Sequence, residues 1–315
     1  MEVMRDVNAL AIGTRLGEYT LEAVLGSGGF GITYRAHDGR LDIPVALKEY
    51  FPATLAYRVD GTTVASRPDG ISGGYDWGME KFLNEAMSLA RLQHPNIVGV
   101  RRLFKANNTA YMALDYIDGP SLKDWVKEHR GKPDQAQIDQ LLIPLLNALE
   151  LVHRKELLHR DIAPKNIMVA RPFVPIMIDF GAARQLVAQH SHTFAAMLTP
   201  GYAPFEQYVA TGKNQGPWTD IYALSATIYE LMTGKPPPEA PERADADKCV
   251  PATEVGRGRF RQEFLAAIDW GLRPLPRQRP QSVTEWRTAF AGGHAPSGPR
   301  PPQSGSRGQP TTGRS

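Results

Sequence analysis

The sequence predicts an α+β fold in two lobes: a small, five-stranded, β-rich N-lobe with one main helix, and a larger, mostly α-helical C-lobe. Three observations carry this. Short alternating apolar runs fill the chain up to Ile117. One helical stretch interrupts them. After "IDGPS" helical spacing takes over almost completely.

The first three strands are "YTLEAVL", "ITYRAHD" and "PVALKEY", with a glycine turn between the first two. Residues 79–93 follow helical spacing, with Phe82, Ala86 and Leu89 on one face. "GVRRLF" and "AYMALDYI" are two further strands joined at "KANN". In the second lobe, residues 121–130, 135–156, 219–234, 261–272 and 283–292 have helical patterns, and "NIMVA" and "PIMIDF" form a short strand pair. Residues 52–78 are rich in Gly, Asp and Ser without a period, and are expected to be a long excursion from the first lobe. The domain expectation is an extension over 1–16, a catalytic unit over 17–291 (N-lobe 17–114, hinge 115–118, C-lobe 119–291) and a Pro/Gly/Ser/Arg tail over 292–315. That tail has too little apolar surface to offset its ordering entropy and is expected to be disordered.

Composition narrows the function classes. The chain has 315 residues, 42% of them hydrophobic, enough for a substantial core. The net charge of +3 owes much to Arg300, Arg307 and Arg314 in the tail, so no nucleic-acid partner is expected. Cys249 is the single cysteine, which excludes an intrachain disulfide and fits a reducing cytoplasmic location. The N-terminus lacks a signal-peptide pattern, and "LLIPLLNALELV" is too short and too polar for a membrane span.

Several stretches carry chemistry. Gly26-Ser27-Gly28-Gly29-Phe30-Gly31 forms a G-x-G-x-x-G, whose backbone can approach phosphate oxygens closely; alone it is equally a glycine-rich hairpin turn. A strand follows it, which excludes a dinucleotide fold, and no G-K-[ST] is present. Lys48 ends an apolar strand and Glu85 lies on the apolar face of the helix; each alone reads as a solvated charge, together they are candidate partners. "HRDIAPKNIM" supplies Asp161, suited to accepting a hydroxyl proton, and Asn166. Asp179 follows an apolar strand in "IDFG"; with Asn166 it offers the oxygen donors that Mg²⁺ prefers.

Taken in this order, and followed by "GYAPFEQY", these motifs resemble the eukaryotic-like protein kinase family. "FGITYRAHD", "NNTAYMALDY", "TPGYAPFEQY" and "GPWTDIYALSATIYELMTGKPP" resemble the bacterial serine/threonine protein kinases in particular. The resemblance covers roughly residues 17–290 and implies the two-lobed protein kinase fold, with ATP and Mg²⁺ as the nucleotide and metal. It implies that Gly26, Gly28 and Gly31 cover the phosphates and that Lys48 binds them while paired with Glu85. Hinge backbone from Asp115 to Ile117 would meet adenine. Leu25, Ser27, Gly29, Phe30, Thr33, Ala46 and Met168 complete the implied nucleotide-binding set. Asp161 would orient the acceptor hydroxyl, and Asn166 and Asp179 would hold the metal. Leu89, Val100, His159 and Phe180 would stack as a column with Asp220 beneath His159, and Glu206 would pair with Arg279.

Some positions depart from the family pattern. Thr33 stands where valine is usual, and Ala163 where a serine/threonine kinase carries lysine. Lys165, one before Asn166, is expected to supply the missing cation. Arg160 beside Asp161 implies control by phosphorylation in the loop that follows, with Ser191 and Thr193 as candidate acceptors. The expected function is an ATP-dependent kinase acting on Ser/Thr hydroxyls of proteins, also autophosphorylating, with dimerisation for transfer in trans. The alternative is a pseudokinase scaffold that binds nucleotide without turnover. "GYAPFEQY" and Arg279 belong to a peptide platform and disfavour a small-molecule kinase.

Overall fold

The computed structural model describes residues 7–68, 73–128, 133–181, 198–209 and 214–292. The N-lobe sheet contains β1 (Arg15–Leu16), β2 (Tyr19–Gly28), β3 (Gly31–Asp38), β4 (Ile43–Tyr50), β7 (Val100–Ala106) and β8 (Thr109–Asp115). Its order is β1-β2-β3-β4-β8-β7, with every neighbouring pair antiparallel. Five of these are the predicted strands; the two-residue β1 was too short to leave an alternation. In β4 the period of two sends Val45, Leu47 and Glu49 to one face, and Ala46, Lys48 and Tyr50 to the other.

The excursion after β4 is more ordered than its composition suggests. It contains a hairpin of β5 (Ala56–Arg58) and β6 (Val64–Ser66), with Ala56 and Val64 buried in the N-lobe core. Helix α1 (Gly74–Leu89) starts ahead of the predicted residue 79, because Tyr75 and Gly78 are also buried on its inner face. The predicted stripe of Phe82, Ala86 and Leu89 is buried as expected.

The C-lobe holds α2 (Leu122–Glu128), α3 (Gln135–Arg154), strands β9 (Ile167–Ala170) and β10 (Val174–Met177), then α4 (Pro217–Thr233), α5 (Ala240–Asp245), α6 (Ala252–Val255), α7 (Gln262–Gly271) and α8 (Val283–Phe290). Reciprocal bonds between Asp134 and Gln137 cap the start of α3. Helix α4 is apolar around most of its circumference, so it runs through the middle of the lobe; Pro217 opens it and Gly234, at φ 84°, ends it. Among the described residues, no helix is long and apolar enough to cross a membrane.

Hydrogen bonds at β10 help to join the lobes. Val98 N–H donates to the Met177 carbonyl at 3.0 Å, and the Asn96 amide donates to the Pro175 carbonyl at 2.7 Å. Beyond β8, the chain passes close to β9. A Cβ on Gly119 would run into the Val169 carbonyl, so glycine is needed there.

Candidate active site

The cleft between the lobes has a volume of about 480 Å³. Its roof is the β2–β3 turn, Gly26 to Gly31, and its walls include Thr33 and Lys48 from the sheet. Its floor carries Asp161, Lys165, Asn166 and Asp179. Residues far apart in sequence therefore meet here because two lobes close on one another.

The glycines of the roof have different duties. A Cβ on Gly31 would collide with the Glu49 carbonyl, so the β3–β4 pairing itself demands glycine. Gly26, Gly28 and Gly29 face open space within 4 Å of where a Cβ would sit. Their backbone is accessible to a phosphate chain.

Lys48 is opposite Thr33 in the β3–β4 register, and both face the cleft. Its ammonium donates to Asp179 Oδ1 at 2.7 Å. Asp179 has φ 56° and follows β10 closely, so its carboxylate turns back under the roof. Glu85 lies half-buried on α1, one turn beyond Phe82, which lines the cleft.

The floor is fixed from below by one carboxylate. Asp220, fully enclosed at the start of α4, accepts from the backbone N–H groups of His159 and Arg160 at 2.9 and 2.8 Å. It also meets His153 Nε2 at 2.8 Å. Burial alone would raise the Asp220 pKa; the His153 hydrogen bond and the neighbouring donors outweigh it and hold the value below the ordinary range. Arg160 sits at φ 66°, a left-handed conformation these bonds maintain. The Gln207 amide donates to its carbonyl at 2.8 Å. His159 stacks on Phe180, ring centroids 4.3 Å apart, and burial holds its pKa below the ordinary value. Leu89 shares the same core, and Val100 packs against it.

Asp161 is held on both oxygens. Thr199 Oγ1 donates to Oδ1 at 2.7 Å, and the Asn166 amide nitrogen to Oδ2 at 2.5 Å. The same nitrogen donates to the Asp161 carbonyl at 2.8 Å, which turns the Asn166 carbonyl oxygen outward as an acceptor. With Asp179 it offers a hard-oxygen pair suited to Mg²⁺. Ala163 is buried at 1% exposure, whereas Lys165 is exposed and reaches the cleft. Glu206 and Arg279 form a buried ion pair with bonds of 2.7 and 3.2 Å.

Leu25, Ala46, Asp115, Ile117 and Met168 lie away from this phosphate-sized end. Ala46 is opposite Leu114 in the sheet, Asp115 ends β8, and Met168 bridges Ser121. Leu25 is exposed beside the β2–β3 irregularity, and Ile117 is partly buried against the N-lobe core. Ser191 and Thr193 lie outside the described residues. Sequence reasoning missed Tyr50, which also lines the cleft; its place two residues after Lys48, on the same strand face, was the available signal.

The sequence matches the family described as protein kinase domain over residues 19–280. The chain belongs to the protein kinase family. The domain is 32% identical over 225 residues to the serine/threonine-protein kinase PknB of Mycobacterium leprae, covering 70% of this chain and 33% of that one. It is 30% identical over 233 residues to the probable serine/threonine-protein kinase PknB of Bifidobacterium longum, covering 70% of this chain and 31% of that one. The domain thus spans about a third of the length of these relatives. The solved structure of PpkA-294 in its apo form is similar at TM-score 0.82 and 38% identity, covering 90% of this chain and 99% of that one. The crystal structure of the Mycobacterium tuberculosis PknI kinase domain, solved as a point mutant, shares the fold at TM-score 0.65 and 24% identity, covering 90% of this chain and 98% of that one. The kinase domain is thus of the bacterial serine/threonine type.

Proposed function

We propose that this chain transfers the γ-phosphoryl group of ATP to Ser/Thr hydroxyls of proteins, with Mg²⁺ bound, and that it also phosphorylates itself. The supporting observation is the double hold on Asp161 by Thr199 and Asn166, directly below the glycine roof. It leaves the carboxylate aimed for a hydroxyl, which is the positioning this reaction needs. In the transfer, the hydroxyl oxygen forms the new bond to phosphorus and the bond to the β–γ bridging oxygen breaks. The hydroxyl proton passes to Asp161 and ADP departs. Asn166 and Asp179 would hold the metal, which neutralises charge on the phosphates. Lys48 would bind the phosphates from the sheet side while Glu85 holds it. Leu25, Thr33, Ala46, Met168 and the Asp115–Ile117 backbone would take the adenine.

Nothing in the site favours the scaffold reading, because each group that transfer requires is present. Lys165 would supply the cation that Ala163 lacks. We also assign Ser191 and Thr193 as phosphorylation sites that would engage Arg160. The Arg160 Nε is buried and has no hydrogen-bond partner among the described residues, which suits it to a phosphate. We place the protein in the cytoplasm, with transient dimers for transfer in trans. Incubation with radiolabelled ATP and a generic protein substrate tests the activity. Label on serine or threonine in wild type, absent in Asp161→Asn, is the expected result; absence in wild type would leave the scaffold reading.

A further inference from the structure

The excursion between β4 and α1 carries a buried polar assembly that nucleotide chemistry does not use. Glu49 is 0% exposed on the sheet face opposite Lys48. Its carboxylate accepts from Tyr111 Oη at 2.7 Å, Tyr34 Oη at 2.9 Å and Arg58 Nη2 at 2.6 Å. Arg58 comes from the hairpin strand β5. Its other nitrogens donate to the Asn8 carbonyl at 2.5 Å and the Thr62 carbonyl at 2.8 Å, and its guanidinium lies over the Phe51 ring at 5.0 Å. Leu10 N–H donates to Tyr34 Oη at 3.0 Å. One arginine thus joins the N-terminal segment, the hairpin and the residue next to Lys48.

The same hairpin reaches α1. Val64 of β6 bonds the Asn107–Asn108 turn through both its N–H and its carbonyl, each at 2.9 Å. Tyr75, in the first turn of α1, donates to the Asn108 carbonyl at 2.8 Å. Tyr50 Oη donates to the Tyr75 carbonyl at 3.2 Å, and its ring packs on Tyr75 and Phe82. The end of β4 that carries Lys48 and the start of the Glu85 helix are therefore tied to one excursion.

We propose that Arg58 is a positioning residue: with Glu49 it clamps β4 against the hairpin and the N-terminal segment, and so sets where Lys48 meets the nucleotide phosphates. This rests on the kinase reading above. A buried, fully hydrogen-bonded ion pair contributes little net stability compared with well-packed apolar residues of like volume, but it fixes geometry. The planar arginine fork can serve Glu49, Asn8 and Thr62 together, whereas a lysine has no such fork. Displacing a positioned group by about 1 Å can cost about 10²-fold.

The test compares binding of Mg·ATP and of adenosine, which has no phosphates for Lys48. It uses the full chain as wild type, as Arg58→Lys, which keeps the buried charge balanced, and as the double variant Glu49→Gln with Arg58→Met, which removes both charges. Melting temperatures report folding. The clamp predicts that both variants stay folded and lose about tenfold in Mg·ATP affinity while adenosine affinity holds. Unchanged Mg·ATP binding in Arg58→Lys, or an equal loss for both ligands, overturns it while leaving the kinase reading intact. Wild type that binds neither ligand overturns the kinase reading, and the clamp with it.

Discussion

Thr199 Oγ1 donates a 2.7 Å hydrogen bond to Asp161 Oδ1, tying the segment before the Gly201 turn to the floor of the cleft. The carboxylate must stay aimed at an incoming hydroxyl, and Thr199 removes one of its free rotations. Thr199→Val keeps the shape and deletes the bond. Turnover should fall about 10²-fold, the scale for losing one preorganised hydrogen bond at a reacting centre. Mg·ATP affinity should be unchanged. Equal losses in both would show that Thr199 only supports the fold.

Asp161→Asn should abolish most transfer, by about 10²- to 10⁴-fold, because the amide cannot take the hydroxyl proton. Asp161 should act on the acceptor hydroxyl and not on the bound nucleotide, so nucleotide affinity should stay near wild type. Thermal shift with Mg·ATP and a single-turnover transfer assay measure the two halves separately.

Glu206 and Arg279 are 3% and 0% exposed at their side chains. Arg279 further donates to the carbonyls of Arg273 and Pro274 and lies over Tyr222, its ring centroid 4.7 Å away. Burial lowers the Arg279 pKa, and the Glu206 charge opposes that shift. Glu206→Ala leaves the guanidinium buried without its carboxylate and should cost about 3–5 kcal/mol in chemical denaturation. A loss below about 1 kcal/mol would mean that water reaches the arginine.

The chain text carried much of this architecture. Strands and helices announce themselves by periods of two and of 3.6, so Lys48 could be placed on a cleft-facing strand position and Phe82, Ala86 and Leu89 on a buried stripe. Glu206 with Arg279, and Asp220 beneath His159, were legible only through the family resemblance; their spacing has no local meaning. The Glu49–Arg58 pair left no trace. Glu49 alternates like a solvent-facing acid, and Arg58 lies in a stretch without period, so their meeting depends on how the hairpin docks. Gly31 was legible as a glycine of the cleft roof, but its steric need for glycine was not, since that comes from the Glu49 carbonyl.

His159 is enclosed, and burial pushes its pKa below the ordinary 6.5. Below pH 6.5 the unfolded chain takes up a proton there that the folded protein refuses. Stability should therefore be full above about pH 7 and fall as pH drops through about 6.5, until the depressed folded value is reached. The slope from one such group is at most about 1.4 kcal/mol per pH unit. His159→Phe keeps the stack on Phe180 and removes the titration. Its melting temperature between about pH 7.5 and 5.5 should fall less steeply than that of wild type. Parallel slopes would assign the acid sensitivity elsewhere.

Lys165 is the cation nearest in sequence to Asn166, exposed on the floor of the cleft that Asp161 and Asp179 also line. Ala163, where a family lysine would stand, is packed into the lobe at 1% exposure. A long side chain at 165 can extend toward the transferring phosphate, where it would stabilise charge that grows in the transition state. Lys165→Ala should then lower turnover about 10²-fold with little change in the KM for ATP, since the interaction strengthens only as the phosphoryl group moves. Lys165→Arg should retain part of the rate, and Lys165→Met, of similar length without charge, should behave as alanine does. Full activity in Lys165→Ala would leave Lys48 and the metal to neutralise the phosphates alone. A raised KM at constant turnover would instead make Lys165 a contact of the resting nucleotide or of the protein substrate, a distinction that separate titrations of ATP and substrate resolve.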